Sequence, residues 1–194
     1  MHNTKEKILT VATRIFSRYG FYKTSMDEIA RISHKAKGSL YYHFASKEEL
    51  FTEVVSREIE HMKKELAVIV TDTEQNAREK LKKYLLTRMA VLKQAANYHE
   101  TLKADFFEHF EFIDKLRSDM DHWEKVQLRS IINQGIREGI FENKKKSTGI
   151  LLDVFIMVLK GLEIPFFLQD KYDELRPHFD DLLNILIKGM APEN

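Results

Sequence analysis

The chain has 194 residues, 43% hydrophobic and 31% charged, with seven glycines, three prolines and no cysteine, a composition that favours an ordered helical protein and excludes disulfide bonds and thiolate metal sites. Its most apolar stretch, residues 150–159, is interrupted by Asp153, and its N-terminus is charged and amphipathic, so we expect a cytoplasmic protein with neither a membrane span nor a signal peptide. Residues 1–50 hold nine basic and five acidic residues, a net charge of +4, whereas the remaining 22 basic and 25 acidic residues give −3. This asymmetry is typical of a nucleic-acid-binding head joined to a body that does not contact the polyanion, with chance variation of solvated charge as the alternative.

Two helices are predicted before residue 33. Asn3 and Glu6 have capping-box spacing at the start of the first helix, whose apolar residues recur at helical spacing until Gly20 ends it. Thr24 or Ser25 caps the second helix, which carries acidic residues in its first turn.

The third predicted helix is short and aromatic. Residues 33–36 form a turn, and the helix follows at about residues 37–44. Two short helices joined by a tight turn are the unit that lays its second helix in the DNA major groove. Ser46 and Glu49 form a second capping box that opens a fourth helix, whose apolar stripe extends to Ile69. We interpret this fourth helix as a rigid lever between head and body.

Five further helices are predicted at about residues 73–95, 102–113, 115–138, 147–164 and 172–190. Gly139 ends the third of these, Pro165 ends the fourth, and Pro177 is expected in the first turn of the last. The sequence has no alternating period-two runs, no internal repeat and no low-complexity linker. The fold class predicted is therefore all-α, with about nine helices.

The third helix and its borders carry small, hydroxylic, phenolic and cationic side chains that suit contact with DNA. A glycine in its first turn permits close approach, the neighbouring lysine and serine offer hydrogen-bond donors, and two adjacent tyrosines cannot both face inward on a short helix. The free N–H groups at the starts of the second and fourth helices also favour a phosphate, with capping alone as the alternative for the hydroxyls there. The candidate DNA-binding residues are Thr24, Ser25, Lys37, Gly38, Ser39, Tyr41, Tyr42, His43 and Lys47. Of the two tyrosines, Tyr41 is expected to be the more buried.

This segment resembles the head of the TetR (tetracycline-repressor-like) family of one-component bacterial regulators. Three strings match the family's pattern in register: Ile29-Ala30, Gly38-Ser39-Leu40-Tyr41-Tyr42-His43-Phe44 and Ser46-Lys47-Glu48-Glu49-Leu50. The match covers roughly residues 4–64. Beyond it the resemblance is one of length and helix count, with the local string GIREGIF at residues 135–141.

By this resemblance, residues 1–46 form a helix-turn-helix DNA-binding domain, and residues 47–194 form a helical ligand-binding and dimerisation domain. The implied contacts in the head are phosphate contacts at Tyr42, His43 and Lys47 and base-edge contacts at Lys37 and Ser39. The implied function is that of a homodimeric transcriptional regulator, a repressor released from a pseudo-palindromic double-stranded DNA operator by a small-molecule effector. No catalytic activity, cofactor, metal or membrane partner is implied.

The turn before the third helix departs from the family's Ala-Gly-Val-Ser. His34 occupies a position that often needs a positive φ, which histidine tolerates less well than glycine. Lys35 replaces a buried aliphatic residue, and Ala36 replaces a capping serine. The lost cap is expected to cost about 1 kcal/mol of stability.

The body holds most of the aromatic residues, and most of these are expected to be ordinary core. The resemblance implies an effector pocket inside the helical bundle for an apolar or aromatic compound. Its candidate walls are Met89, Phe106, Phe110, Met120, Trp123 and Phe155, with His99, His109 or Glu163 as polar partners. The same resemblance implies that the last two helices form a four-helix dimer interface, with the candidates Val154, Val158, Leu162, Leu182, Ile185 and Leu186.

Two other classes of protein stand as alternatives. A four-helix di-metal enzyme needs two Glu-x-x-His pairs and two further glutamates, and this chain offers Glu58 with His61 and a weaker Asp119 with His122. Nucleophilic catalysis has no support, because the chain has no cysteine and no Gly-x-Ser-x-Gly string. The other class is a helical interaction protein whose head binds protein in place of DNA.

Overall fold

The computed structural model describes residues 4–103, 111–142 and 148–192. These residues form nine α-helices and one short π-helix and contain no β-strand, in agreement with the all-α prediction. The α-helices are α1 (Thr4–Tyr19), α2 (Met26–Ile32), α3 (Lys37–His43), α4 (Lys47–Thr71), α5 (Ala77–Gln94), α6 (Ala96–Glu100), α7 (Glu111–Arg137), α8 (Thr148–Glu163) and α9 (Tyr172–Gly189), and the π-helix is Ile164–Leu168.

The ends of the first helices follow from local residue chemistry. Gly20 adopts a φ of +81° directly after α1, a left-handed conformation that glycine reaches without a Cβ clash. Ser25 is the N-cap of α2, and its hydroxyl accepts a hydrogen bond from the Glu28 N–H at 3.2 Å. The Ser46 hydroxyl accepts one from the Glu49 N–H, also at 3.2 Å. The predicted caps of α2 and α4 are therefore present.

Two predicted helix starts are wrong. α5 begins at Ala77, later than predicted, because Asn76 caps it with a side-chain oxygen that accepts a hydrogen bond from the Glu79 N–H at 3.0 Å. α7 begins at Glu111, earlier than predicted. Most of the helix predicted before it falls on residues 104–110, which lie outside the described residues.

The prolines act on the last two helices in different ways. α8 ends at Glu163, and Pro165 lies in the π-helix that follows, so the predicted α-helix does end at this proline. Pro177 was expected in the first turn of α9, but it is the sixth residue of this helix and lies in its second turn. Since proline has no N–H, α9 lacks one internal hydrogen bond at this point.

The chain packs as two compact units. The head unit comprises the described residues of Met1–His61 and Ala95–Asp114, and the body unit comprises those of Met62–Gln94 and Lys115–Asn194. The predicted boundary at residue 46 does not coincide with this division, because the first part of α4 and all of α6 pack in the head unit. α4 therefore contributes residues to both units.

An aromatic cluster forms the centre of the head unit. The ring of Phe51 from α4 lies 5.1 Å from that of Phe16 and 5.0 Å from that of Phe21, measured between centroids. Leu40 and Phe44, which are 0% and 2% exposed, fix α3 on the same unit through one side of the helix. The other side of α3 is thereby left to face solvent.

The short helix α6 is fixed to α4 by one carboxylate. Glu58 Oε1 accepts hydrogen bonds from the backbone N–H and the side-chain amide of Asn97 at 3.3 and 2.7 Å. Glu58 Oε2 accepts one from the Tyr98 N–H at 2.7 Å. Burial nevertheless raises the pKa of Glu58 above its usual value, although these hydrogen bonds favour the ionised form.

A buried ionic network crosses the body unit. The Arg88 guanidinium lies 2.8 Å from a Glu124 carboxylate oxygen and 2.7 Å from one of Glu163, and all three side chains are fully buried. The Tyr84 hydroxyl donates to Glu124 at 3.3 Å, and burial raises the pKa of this phenol. Removing one partner of such a pair leaves an uncompensated buried charge, at a cost of about 3–5 kcal/mol.

Candidate functional site

The turn between α2 and α3 has the geometry expected from its unusual residues. His34 adopts a φ of +53°, in the left-handed region that glycine reaches more easily. Ala36 is the N-cap of α3, with an extended backbone and no side-chain hydrogen bond to the helix. Lys35 is only half-buried, and its ammonium lies 3.4 Å from the hydroxyl of Thr4. The turn therefore forms without the capping serine and without a buried aliphatic side chain.

The outer side of α3 presents several of the predicted DNA-binding residues. Tyr42 is 85% exposed and Tyr41 43% exposed, which confirms that Tyr41 is the more buried of the two. Ser39 and His43 are half-buried. Apart from its two chain neighbours and the backbone of α3 itself, no atom of the described residues lies within 4 Å of the point where a Cβ on Gly38 would stand. The fold itself thus leaves room at this glycine for an approaching molecule.

Lys37, at the start of α3, forms an ion pair with α2. Its ammonium lies 2.8 Å from Asp27 Oδ1 and 3.0 Å from Asp27 Oδ2, and both side chains are mostly exposed. The hydrogen bond to Asp27 raises the pKa of Lys37. The same ammonium lies 5.9 Å from the centroid of the Tyr41 ring. Asp27 was not among the predicted site residues, because nothing in the sequence pairs residues that lie ten positions apart in different helices.

Lys47, predicted to contact a phosphate, already has partners within the head unit. Its ammonium donates to the carbonyl oxygens of Phe21 at 3.0 Å and Thr24 at 3.2 Å, and it lies 4.2 Å from the centroid of the Phe21 ring. Lysine has three N–H donors, so these two bonds leave one for another acceptor. Lys47 therefore holds the turn between α1 and α2 whatever else it contacts.

Thr24 does not belong with the residues that face solvent. It is only 2% exposed, and its hydroxyl donates to the Gly20 carbonyl oxygen at 2.7 Å. Its predicted contact with a phosphate is corrected for this reason, since a buried side chain cannot reach the polyanion. Ser25 is exposed, with its hydroxyl engaged as the cap of α2.

A cavity of about 300 Å³ lies within the body unit. Its walls come from α5, α7, α8, α9 and the segment after α7, and they are almost entirely apolar: Leu81, Leu128, Ile132, Phe141, Glu142, Leu151, Leu152, Phe155, Leu186, Gly189 and Met190. Leu151 and Leu186 are also partly exposed, so the cavity opens toward the outer side of α8 and α9. Such a space suits an apolar compound of modest size.

Of the predicted pocket walls, the structure brings Phe155 to this cavity. Met89 and Met120 are buried in the core, each 1% exposed, and Trp123 is half-buried with the Lys63 ammonium 6.0 Å from its ring centroid. None of these three lines the cavity. Phe106 and Phe110 lie outside the described residues.

The predicted polar partners of the pocket lie elsewhere. Glu163 is bound in the buried network with Arg88. His99 lies in α6 and therefore in the head unit. His109 lies outside the described residues. Helical spacing identified apolar positions here but could not separate cavity walls from tightly packed core.

The predicted dimer residues, here called the α8–α9 face, lie on α8 and α9, and five of the six are exposed. Their exposed fractions are 49% for Val154, 51% for Val158, 42% for Leu182, 68% for Ile185 and 40% for Leu186. Leu162 is half-buried. Where such exposed apolar residues form a contiguous patch, they mark a surface for interaction with another molecule.

The alternatives based on metal chemistry find no site among the described residues. No group of three or more histidine, aspartate or glutamate side chains that could hold a metal ion occurs there. Glu58, one of the two acids considered for such a site, is instead bound to α6. None of the described helices combines the length and apolarity that crossing a bilayer requires.

Comparison with known proteins identifies the head. Residues 8–54 match the family model described as bacterial regulatory proteins, tetR family. The chain is 46% identical over 56 residues to the HTH-type transcriptional regulator QacR of Staphylococcus aureus, which covers 29% of this chain and 30% of that protein. It is 42% identical over 66 residues to LmrA of Bacillus subtilis, covering 34% and 35%. The matched segment thus spans about a third of the length of these curated relatives.

The fold is similar to solved structures over almost the whole chain. A transcriptional regulator from Cytophaga hutchinsonii gives a TM-score of 0.74 at 25% identity, covering 96% of this chain and 98% of that one. The fatty acid degradation regulator FadR from Bacillus halodurans gives a TM-score of 0.74 at 16% identity, covering 94% and 95%. The latter likeness is evidence for the fold alone.

These comparisons agree with the geometry of the head unit. The family model covers α2, the turn and α3, which carry the exposed polar side chains described above. The matched family is one of regulatory proteins, so the comparison gives the di-metal enzyme no support. The head of this chain is thus similar to that of the tetR family of bacterial regulatory proteins.

Proposed function

We propose that this protein is a sequence-specific DNA-binding transcriptional regulator that uses α3 as its recognition helix. The observation that carries the proposal is the exposed side of α3, where Lys37, Tyr41 and Tyr42 extend from a helix anchored through Leu40 and Phe44. Recognition helices of this motif enter the major groove with their N-terminal residues at base edges. Lys37 and Ser39 are then the base-edge contacts. Tyr42, His43, Lys47 and Ser25 are the proposed phosphate contacts.

The proposed active form is a homodimer that forms through the α8–α9 face. A two-fold dimer would bind two half-sites about 34–36 Å apart, one turn of DNA, so the operator would be an inverted repeat. The exposed apolar residues of this face support the proposal, because a second copy would remove them from water.

The proposed effector is a small apolar or aromatic compound bound in the body unit, and the cavity beside Phe155 is its candidate site. An effector can release DNA only if it binds the DNA-free state more tightly than the DNA-bound state. The relative IcaR of Staphylococcus aureus is a negative regulator, and repression is the direction proposed for this chain. A compound that fits the cavity but leaves operator affinity unchanged is not an inducer.

The first test is to recover the DNA that the protein binds. Purified protein is incubated at fixed moderate salt with sheared DNA from its source genome, and the bound fragments are sequenced. The expected result is a shared inverted repeat with half-sites one turn apart. Bound fragments that share no sequence would mean non-specific binding only, and they would overturn the proposed function.

The effector site is tested by filling the cavity. Leu152 is 5% exposed on the cavity wall, and Leu152→Phe adds volume there. Neutral aromatic and aliphatic compounds that raise the melting temperature of the wild-type protein are expected to lose this effect in the variant. Equal shifts in both proteins would place the binding site of these compounds elsewhere.

A further inference from the structure

Asp27 carries a negative charge close to the proposed DNA-binding helix, where a negative charge disfavours binding to DNA. It lies in the first turn of α2, directly before the turn and recognition helix, and its side chain is 64% exposed. An exposed carboxylate near the phosphates of bound DNA is repelled by them, which weakens binding to every sequence. Its presence in the head unit, where basic residues predominate, therefore needs a physical explanation.

The contacts of Asp27 supply that explanation. Both of its carboxylate oxygens lie within hydrogen-bond distance of one ammonium, that of Lys37, at 2.8 and 3.0 Å. A lysine ammonium is otherwise a point charge at the end of a flexible four-carbon side chain. The position of its contact with a base is therefore poorly defined. Here two neighbours restrict the positions of the ammonium, namely the carboxylate on α2 and the Tyr41 ring, whose centroid is 5.9 Å away on α3.

We propose that Asp27 is a positioning residue for sequence recognition, which acts by holding the Lys37 ammonium at the N-terminal end of α3 where it meets one base edge. The inference rests on the proposed function and deepens it. Lysine has donors and no acceptor, so the edge that it recognises carries acceptors, and guanine presents two of these in the major groove, O6 and N7. Each half-site is therefore expected to contain one guanine whose recognition depends on both Lys37 and Asp27.

Asp27 also lowers the affinity for DNA that lacks this guanine. When Lys37 has no base acceptor, the ion pair keeps its charge neutralised and unavailable to phosphates. The Asp27 carboxylate thus favours DNA that contains the guanine in two ways. It reduces the non-specific contacts of Lys37 with phosphates, and it defines the position of the Lys37 contact with the base. A lysine without this partner would contact phosphates and bases alike.

The test is a selection from random-sequence duplexes at one fixed salt concentration, with four proteins in parallel. These are the wild type, Asp27→Asn, Lys37→Met and the control Glu28→Gln, which removes the same charge from the same turn of α2 but has no contact with Lys37 among those described. The wild type and the control are expected to select the guanine. Asp27→Asn and Lys37→Met are expected to lose the preference at that same position and at no other.

The size of the effect is measured by titrating the selected duplex and a duplex with that guanine replaced. The wild type is expected to prefer the guanine by about tenfold, a typical value for one good base contact, and both variants are expected to show a ratio near one. The double variant, which carries both Asp27→Asn and Lys37→Met, should show the same ratio as either single variant, because both substitutions remove the same interaction.

The outcomes separate the inference from the function on which it rests. If Asp27→Asn retains the guanine preference, or changes the affinity for all duplexes by the same factor as Glu28→Gln, Asp27 contributes only its charge and the inference is overturned. If the wild type itself selects no common sequence, the proposed function fails as well. An exposed ion pair contributes little to folding, and Asp27→Ser serves as a second variant if Asp27→Asn does not fold.

Discussion

Lys47 and Tyr42 both belong to the predicted DNA-binding set, but the fold uses them in different ways. Lys47 donates to two carbonyl oxygens in the turn between α1 and α2, so its removal changes both stability and DNA binding. Tyr42 is 85% exposed, and its ring contacts the neighbouring His43 at a centroid distance of 5.1 Å. Tyr42 is therefore the better residue with which to test a phosphate contact.

Tyr42→Phe should weaken binding to operator and to unrelated duplexes by the same factor, about tenfold or more for the loss of one hydrogen bond to a charged phosphate oxygen. The melting temperature should not change, because the hydroxyl lies outside the core. Affinity is measured by fluorescence anisotropy at one salt concentration, with Tyr19→Phe on α1 as the matched control, since Tyr19 is 46% exposed and outside the predicted set. A loss confined to the operator would assign Tyr42 to a base edge instead.

Ala36→Ser should stabilise the head unit by about 1 kcal/mol, because it supplies an acceptor to the free N–H groups at the start of α3. Chemical denaturation of the two proteins measures this difference. Ala45→Ser is the control, since Ser46 already caps the following helix. An unchanged or lower stability for Ala36→Ser would mean that the backbone at residue 36 does not present a hydroxyl to α3.

Among the helices, α6 has the least expected position. It follows α5 of the body unit along the chain, yet it belongs to the head unit, where the Glu58 carboxylate binds the backbone N–H groups of Asn97 and Tyr98. A single carboxylate thus fixes the point at which the chain returns from one unit to the other. The attachment of α6 to α4 should depend on this residue.

Glu58→Gln should lower the stability of the head unit by about 1–3 kcal/mol, because an amide cannot accept all three hydrogen bonds and leaves a buried N–H unpaired. Hydrogen exchange at Tyr98, which is 1% exposed, should become faster. Glu65→Gln on the exposed side of α4 is the control. Unchanged exchange at Tyr98 in Glu58→Gln would contradict the assigned role.

The same variant should alter the pH dependence of stability. Because burial raises the pKa of Glu58 above 4.5, the folded state retains this proton at a pH where the unfolded state has lost it. The stability of the wild type relative to Glu58→Gln should therefore be greatest below pH 4.5 and decrease as the pH rises through the raised pKa. Denaturation of both proteins across this interval measures the change, and a difference independent of pH would refute the raised pKa.

The elements that could be predicted from the sequence are those whose signals are local. Gly20, Ser25 and Ser46 each mark a helix end through their own backbone or a neighbour three residues away. The contacts of Lys47 with Phe21 and of Glu58 with Asn97 join residues 26 and 39 positions apart, and no spacing rule relates them. For the same reason helical periodicity placed Met89 and Met120 on inward faces but could not predict which inward residues border the cavity.

For the whole molecule, the proposed role of the α8–α9 face is to join two copies of the chain, so that two heads bind DNA together. Ile185→Glu would place a charge at the centre of a proposed apolar interface, whereas Val68→Glu changes a residue of α4 with similar exposure, 70% against 68%. We expect Ile185→Glu to be monomeric and to bind the inverted repeat at least tenfold more weakly, since two linked half-sites become two separate weak ones. Analytical ultracentrifugation and operator titration measure both effects. A variant that stays dimeric would remove this face as the interface.

Sequence-specific binding through α3 is measured by the ratio of two affinities at the same salt, one for the recovered inverted repeat and one for a scrambled duplex of the same length and composition. A regulator that recognises sequence through α3 should prefer the repeat by about a thousandfold or more. Lys37→Ala combined with Ser39→Ala should reduce this ratio sharply while leaving binding to the scrambled duplex within a few-fold of the wild type. Equal affinities of the wild-type protein for the two duplexes would contradict the account.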